Sequence, residues 1–154
     1  DEFIALLPGE ESEAVAGQAL LFEEFLSGED AAGCLNLPLA PRPGEALVHG
    51  HCHQKAFDAM PAVEATLRLV PELDVQTVES SCCGMAGAFG YDAETIDISL
   101  AMGELSLLPA VREAAPDTLI VADGTSCRHQ IADAAGRRAM HVAEVLANAL
   151  EETI

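Results

Sequence analysis

The sequence contains no tryptophan, a single tyrosine and five phenylalanines among 154 residues. A chain so poor in aromatics must build its core from Ala, Val, Leu and Ile. Half of its residues are hydrophobic, which argues against a disordered polymer. Positive charge is equally scarce: 7 Lys and Arg stand against 26 Asp and Glu, a formal net charge of −19. A surface this negative repels phosphate backbones and anionic lipid, which argues against nucleic-acid and membrane-surface roles. Its simplest consequence is solubility. No apolar run has the length a bilayer requires, and the opening Asp1-Glu2-Phe3 does not read as a signal peptide. We therefore expect a cytoplasmic chain without membrane insertion, peripheral to a membrane only through a parent enzyme. The opening residue is not Met, so a piece of a longer polypeptide is expected.

What the chain does have is cysteine, five of them. An odd number in a chain without an export signal argues for reduced thiols rather than a disulfide framework. Clustered thiols in that setting bind metal or do redox chemistry.

Two regions are expected. Residues 1–40 hold one amphipathic helix over 10–27, with Val15, Ala19, Phe22 and Leu26 at helical spacing and Gly28 placed to stop it. A linker over 33–44 follows, carrying Pro38, Pro41 and Pro43. Residues 41–154 alternate. Strands are predicted at 46–49, 75–78 and 119–122. Between and after them, helical stripes run through Ala56, Met60, Val63, Leu67 and Val70, then through Ile96, Leu100, Leu105 and Leu108. Pro109 breaks or restarts that second helix. Another helix runs from about Cys127 to Gly136, and a last one carries Val142, Val145, Leu146 and Ala149. The alternation predicts an α/β fold: a small parallel β-sheet of three or four strands with covering helices.

The cysteines fall at corresponding places in this pattern. Cys52 follows the first strand, Cys82 and Cys83 the second, and Cys127 the third. The carboxyl ends of parallel strands open at one edge, where ligands bind. Three loops thus deliver four thiols to one rim, each loop leading toward a helix N-terminus that favours thiolate. Thiolates suit an iron–sulfur cluster or zinc, and both remain open on this evidence. So does a thiol-redox module in which Cys82 and Cys83 cycle with a disulfide. Both of these adjacent residues reach one site only on a tight loop, which Gly84, Gly87 and Gly90 supply while letting backbone amides approach sulfur. Around Cys52, alternation suggests that His49, His51 and His53 point together, as proton carriers, ligands or donors to sulfur. His129, two residues beyond Cys127, is a similar candidate. His141 and the run 123–126 read as capping and turn chemistry. Cys34 lies outside the pattern and is expected to be unligated.

The succession His51-Cys52-His53, Cys82-Cys83-Gly84 and Thr125-Ser126-Cys127-Arg128-His129-Gln130 resembles the cysteine-rich CCG domain. That domain occurs in the glycolate oxidase iron–sulfur subunit, the anaerobic glycerol-3-phosphate dehydrogenase small subunit and a subunit of heterodisulfide reductase. The stretch 79–91 looks closest to the C-terminal part of fused FAD-binding and iron–sulfur D-2-hydroxy-acid dehydrogenases. The resemblance spans roughly residues 41 to 150. It implies an electron-transfer module with Cys52, Cys82, Cys83 and Cys127 as metal ligands and His51, His53, Gly84, Gly87 and His129 near the cofactor. It implies a flavin and ferredoxin-type domains upstream, with FAD not bound by this chain, and an electron acceptor downstream. Residues 1–40 would be the tail of a preceding module. One departure matters: Gln130 stands where the fullest motif has a further Cys, so a single [4Fe–4S] cluster is expected rather than a paired one.

Overall fold

The computed structural model describes residues 2–80 and 82–150. The chain divides into two compact units with the boundary between Asn36 and Leu37.

The first unit is helical: α1 (Glu2–Leu6), α2 (Glu10–Ala16) and α3 (Phe22–Ala31). The single helix expected over 10–27 is therefore two. Gly17 closes α2, its amide bonding the Glu13 carbonyl at 2.9 Å. A new helix starts at Leu21, whose N–H is accepted by the Glu24 carboxylate at 2.7 Å. That side-chain cap starts a second helix in place of continuation of the first. Gly28, expected as a stop, lies inside α3, where it costs only about 1 kcal/mol relative to Ala.

The second unit is the α/β fold expected from the alternation. Its elements run β1 (Gly44–Val48), α4 (Cys52–Ala56), α5 (Met60–Leu67), β2 (Leu73–Thr77), α6 (Ile96–Gly103), α7 (Leu107–Glu113), β3 (Leu119–Val121), α8 (Thr125–Ala135), β4 (Ala139–Met140) and α9 (Val142–Ala149). The sheet is wholly parallel, in the order β2-β1-β3-β4. Val48 sits beside both Thr77 and Val121, so β1, β2 and β3 end level with one another. β3 is buried along its whole length, which its uninterrupted Leu-Ile-Val run permits.

Helices cover the sheet: α5 packs with α9, and α7 with α8. Leu67, Val63, Val142 and Val145 fill one part of the core, and Leu107, Val111 and Ile131 another. Each such side chain contributes about 1.5–3 kcal/mol on burial. Pro109 restarts the chain rather than breaking it: it sits in the first turn of α7, where a missing N–H costs nothing. Gly136 ends α8 at φ 64, the left-handed conformation that L side chains resist.

Candidate metal centre

The chain runs outward along β2 and β3 from β1, so the strand order reverses between β1 and β3 at the carboxyl edge. That reversal opens a crevice. Cys52 is the first residue of α4, just beyond β1, and Cys127 is the third residue of α8, just beyond β3. They flank the reversal. Arg128 closes the β3–α8 connection by donating to the Ala122 and Asp123 carbonyls at 3.0 and 2.6 Å. Cys82 and Cys83 stand on the loop after β2. No α-helix follows them directly; the next regular structure is a 3₁₀ turn, Gly87–Tyr91.

The loop turns tightly enough to give the adjacent thiols different surroundings. Cys83 is 3% exposed and packs in the core with Met85, Leu107 and Cys127, itself 0% exposed. Cys82 is half-buried and Cys52 exposed. Gly84 makes the turn at φ +93, and a Cβ there would run into the Ser99 carbonyl. Its N–H donates to the Cys82 sulfur at 3.3 Å. Gly87 adopts φ 65 at the start of the 3₁₀ turn.

Electrostatics tie the four sulfurs together. The Cys83 thiol is pulled down to about 4, chiefly by a hydrogen bond from Cys127, against burial and with further help from His49 and the Met85 backbone. Cys127 is pushed up by that same bond, by burial, and by negative charge on Cys83, Cys52 and Cys82. The Cys127 thiol thus donates to the Cys83 sulfur. Cys52 is also pushed up, by desolvation and then by Cys82 and Cys83, with Lys55 opposing. Charges on three separate chain segments sense one another here. Cys52 and Cys127 are both pushed up by the charge of neighbouring thiols, and soft, multiply charged iron–sulfur or zinc centres fit such a donor set.

The histidines do not point together. The alternation of a strand stops at Val48, and α4 begins at Cys52. His51 caps α4, its Nδ1 accepting the His53 N–H at 3.4 Å, and its ring edge and the Cys127 sulfur both lie against Gly124. His53 is exposed, edge-on to His51 and Phe57 at 5.8 and 5.9 Å. His129 is exposed and pairs with the Tyr91 hydroxyl at 2.9 Å. Two helical positions from Cys127 is roughly 200° around α8, which turns His129 away from the buried sulfur. His49 goes the other way. It is 1% exposed, and one ring nitrogen lies within 4.8 Å of the Cys83 and Cys127 sulfurs. It is the residue that sequence reasoning ranked too low.

The remaining candidates are structural. Gln130 is buried and donates to the Ser99 carbonyl and hydroxyl, each at 3.2 Å, so the position that departs from the motif anchors α6. His141 caps α9 by accepting the Ala143 N–H at 3.0 Å. Asp123 caps α9 rather than α8, accepting from Val142 at 3.0 Å, and also holds Gln54 at 2.7 Å. Cys34 is an exposed thiol in the first unit.

Fold and site together define a class: a small parallel α/β domain that carries unpaired thiols at the carboxyl rim of its sheet. Comparison with known proteins is consistent with this. The chain is 33% identical over 114 residues to a subunit of the anaerobic glycerol-3-phosphate dehydrogenase of Escherichia coli strain K12, covering 74% of this chain and 28% of that one. It is 32% identical over 128 residues to the D-2-hydroxyglutarate dehydrogenase of the same strain, covering 81% and 12%. The D-2-hydroxyglutarate dehydrogenase of Pantoea ananatis is 31% identical over 72 residues. The chain thus spans under a third of the length of these relatives. No family model and no solved structure matches it. Relatives that are dehydrogenases, together with the thiol groups, support a redox-enzyme-associated domain. Among the described residues no helix is long and apolar enough to cross a membrane.

Proposed function

We propose that Cys52, Cys82, Cys83 and Cys127 hold one [4Fe–4S] cluster, and that the chain relays electrons within a flavin-linked dehydrogenase of 2-hydroxy acids. What supports this reading is that thiols from three loops meet at one sheet edge: the Cys83 and Cys127 sulfurs lie within 4.8 Å of one another, and the Cys52 thiol is pushed up by desolvation and by Cys82 and Cys83 beside it. When bound, the cluster supplies one-electron storage and release. The chain's own residues do the rest. Cys83 and Cys127 fix the inner side of the site within the core. Cys52 and Cys82 hold its outer side, and the Gly84 amide donates to sulfur there. His51 orders the turn into α4, and His53 and His129 line the outer surface around the rim.

On this reading residues 41–154 form a CCG-type domain and residues 1–40 the tail of a preceding module. Flavin and ferredoxin-type domains of the parent enzyme deliver electrons, and an acceptor removes them. The setting is cytoplasmic, at a membrane surface only through the parent enzyme. The similarity to dehydrogenases supports the redox setting, and the acidic surface suits a soluble relay.

Anaerobic isolation followed by iron, acid-labile sulfide and zinc assays tests the reading. Iron and sulfide in equal amount, with a broad visible absorption, is the expected result. Zinc alone would make this a zinc-binding structural domain. Metal-free protein with fast thiol reactivity at Cys82 and Cys83 would make it a thiol-redox module. The burial of Cys83 already weighs against that last outcome, since exchange needs an accessible thiolate.

A further inference from the structure

His49 is pinned at both its backbone and its ring. Its N–H donates to the Val121 carbonyl at 2.8 Å, extending the β1–β3 pairing one residue past the strand end. Its Nδ1 lies 2.8 Å from the Ser80 hydroxyl. Its Nε2 is buried and has no hydrogen-bond partner among the described residues. A buried donor or acceptor left without a partner carries its full desolvation penalty. The functional atoms within reach are the Cys83 and Cys127 sulfurs, which with a ring nitrogen of His49 lie within 4.8 Å of one another.

Which ring nitrogen carries the proton follows from the neighbours. Lys55 is the only lysine in the chain. Its stem passes close over Gly50, where a Cβ would meet Lys55 Cε at 2.9 Å. Its ammonium donates to the Ser80 carbonyl, and to the Ser80 hydroxyl oxygen at 3.3 Å. An ammonium has protons and no lone pair, so Ser80 Oγ accepts from it. Ser80 Oγ has a second lone pair, but the otherwise unpartnered Nε2 faces sulfurs that accept as thiolates, so the arrangement that satisfies both ring nitrogens sends the Ser80 hydroxyl proton to His49 Nδ1. An imidazole that accepts at Nδ1 carries its proton at Nε2. The ring therefore presents an N–H, not a lone pair, on its buried side.

We propose that His49 is a positioning residue that raises the reduction potential of the thiol-bound centre, because a Lys55–Ser80–His49 relay fixes its tautomer and turns an N–H toward the Cys83 and Cys127 sulfurs. This rests on the iron–sulfur reading above. Reduction adds one electron to a centre whose charge is shared with those sulfurs. A donor aimed at them stabilises the more negative, reduced form, and hydrogen bonds to sulfur are among the factors that set such potentials. No proton is transferred in this role; the relay is static.

The test is a spectroelectrochemical titration of the full chain, reconstituted without oxygen, as wild type, His49→Leu, His49→Gln and Ser80→Ala. His49→Leu should keep the iron and sulfide content and shift the reduction equilibrium about tenfold toward the oxidised form, which is about 59 mV for a one-electron couple. His49→Gln places an amide N–H near the former Nε2 and should recover most of that shift. Ser80→Ala releases the tautomer and should give a smaller shift in the same direction. A His49→Leu potential equal to wild type overturns the inference, as does a His49→Gln potential as low as that of Leu. Strong nitrogen hyperfine coupling to the reduced centre would make His49 a ligand instead, and also overturns it. If His49→Leu fails to assemble a centre, Ser80→Ala decides: a wild-type potential there removes the relay. A wild-type chain that assembles no cluster overturns the parent reading and this one with it. A loaded wild type indifferent to His49 overturns this one alone.

Discussion

The inner and outer halves of the thiol site are built by different rules. Cys83 and Cys127 are core residues first: they pack among Met85, Leu107 and Ile131, and their positions are fixed by whatever fixes the sheet and α8. Cys52 and Cys82 stand where the chain leaves the core, on a short helix and a loop, Cys52 exposed and Cys82 half-buried. A centre held between them has one face set by folding and one face set by local turns. Rigidity on the inner face holds the donors ready. On the proposed iron–sulfur reading, exposure on the outer face gives electrons a way in and out. The contrast predicts that removing an inner thiol damages fold and site together, whereas removing an outer one damages the site alone.

Gly84 joins the two halves and should show the largest effect. Gly84→Ala forces a side chain into φ +93 and against the Ser99 carbonyl, with Met102 Cβ at 3.2 Å. The backbone penalty of about 1–2 kcal/mol and an overpacking cost of about 1–3 kcal/mol should sum in metal-free urea unfolding, together with loss of iron. Cys127→Ser comes next. It replaces a fully buried thiol with a smaller, more polar hydroxyl in the core, an expected loss of about 1–3 kcal/mol with no metal bound. Cys52→Ser should abolish iron incorporation while metal-free stability stays within about 0.5 kcal/mol of wild type. A Cys52 variant as unstable as the Cys127 variant would erase the distinction between the halves. Cys34→Ser should change neither iron content nor stability, and loss of iron there would mean that the ligand set is misassigned.

How far the sequence reveals this layout differs between the halves as well. The strands are legible because β1 and β3 are apolar runs bounded by turn residues, and the thiols are legible because each follows a strand. The inner donor is not. His49 becomes special only through Ser80, 31 residues on, and through Val121. Nothing local marks it except its place at the end of an apolar run. Reading strand alternation through His53 fails for a definite reason: α4 captures the chain at Cys52, with His51 as its cap. Asp123 shows the same limit. Its neighbours suggest a cap for α8, yet its carboxylate serves α9 and Gln54, partners fixed by topology. The single helix expected over 10–27 fails locally instead, because a Glu three residues past Leu21 starts a second helix and no apolar stripe reports that.

A small effect of charge rather than of packing is expected at the start of α9, and it checks that the contrast is local to the thiol rim. Glu144 accepts the His141 N–H at 3.1 Å and pairs with Arg138 at 2.8 Å, and the His141 bond, followed by Arg138, holds its carboxyl below the ordinary value of 4.5. A carboxyl depressed on folding stabilises the fold fully above its unfolded value, and that contribution disappears as pH falls through the folded one. The pair is solvent-exposed, so screening limits it to a few tenths of a kcal/mol. Glu144→Gln should therefore lower metal-free stability slightly at pH 7. The difference from wild type should vanish in acid below the folded carboxyl value and shrink in high salt, with iron content unchanged throughout. A larger loss, or one accompanied by loss of iron, would mean that the start of α9 is coupled to the thiol rim through Asp123. Asp123, which accepts from both Val142 of α9 and Gln54 of α4, is the route such coupling would take.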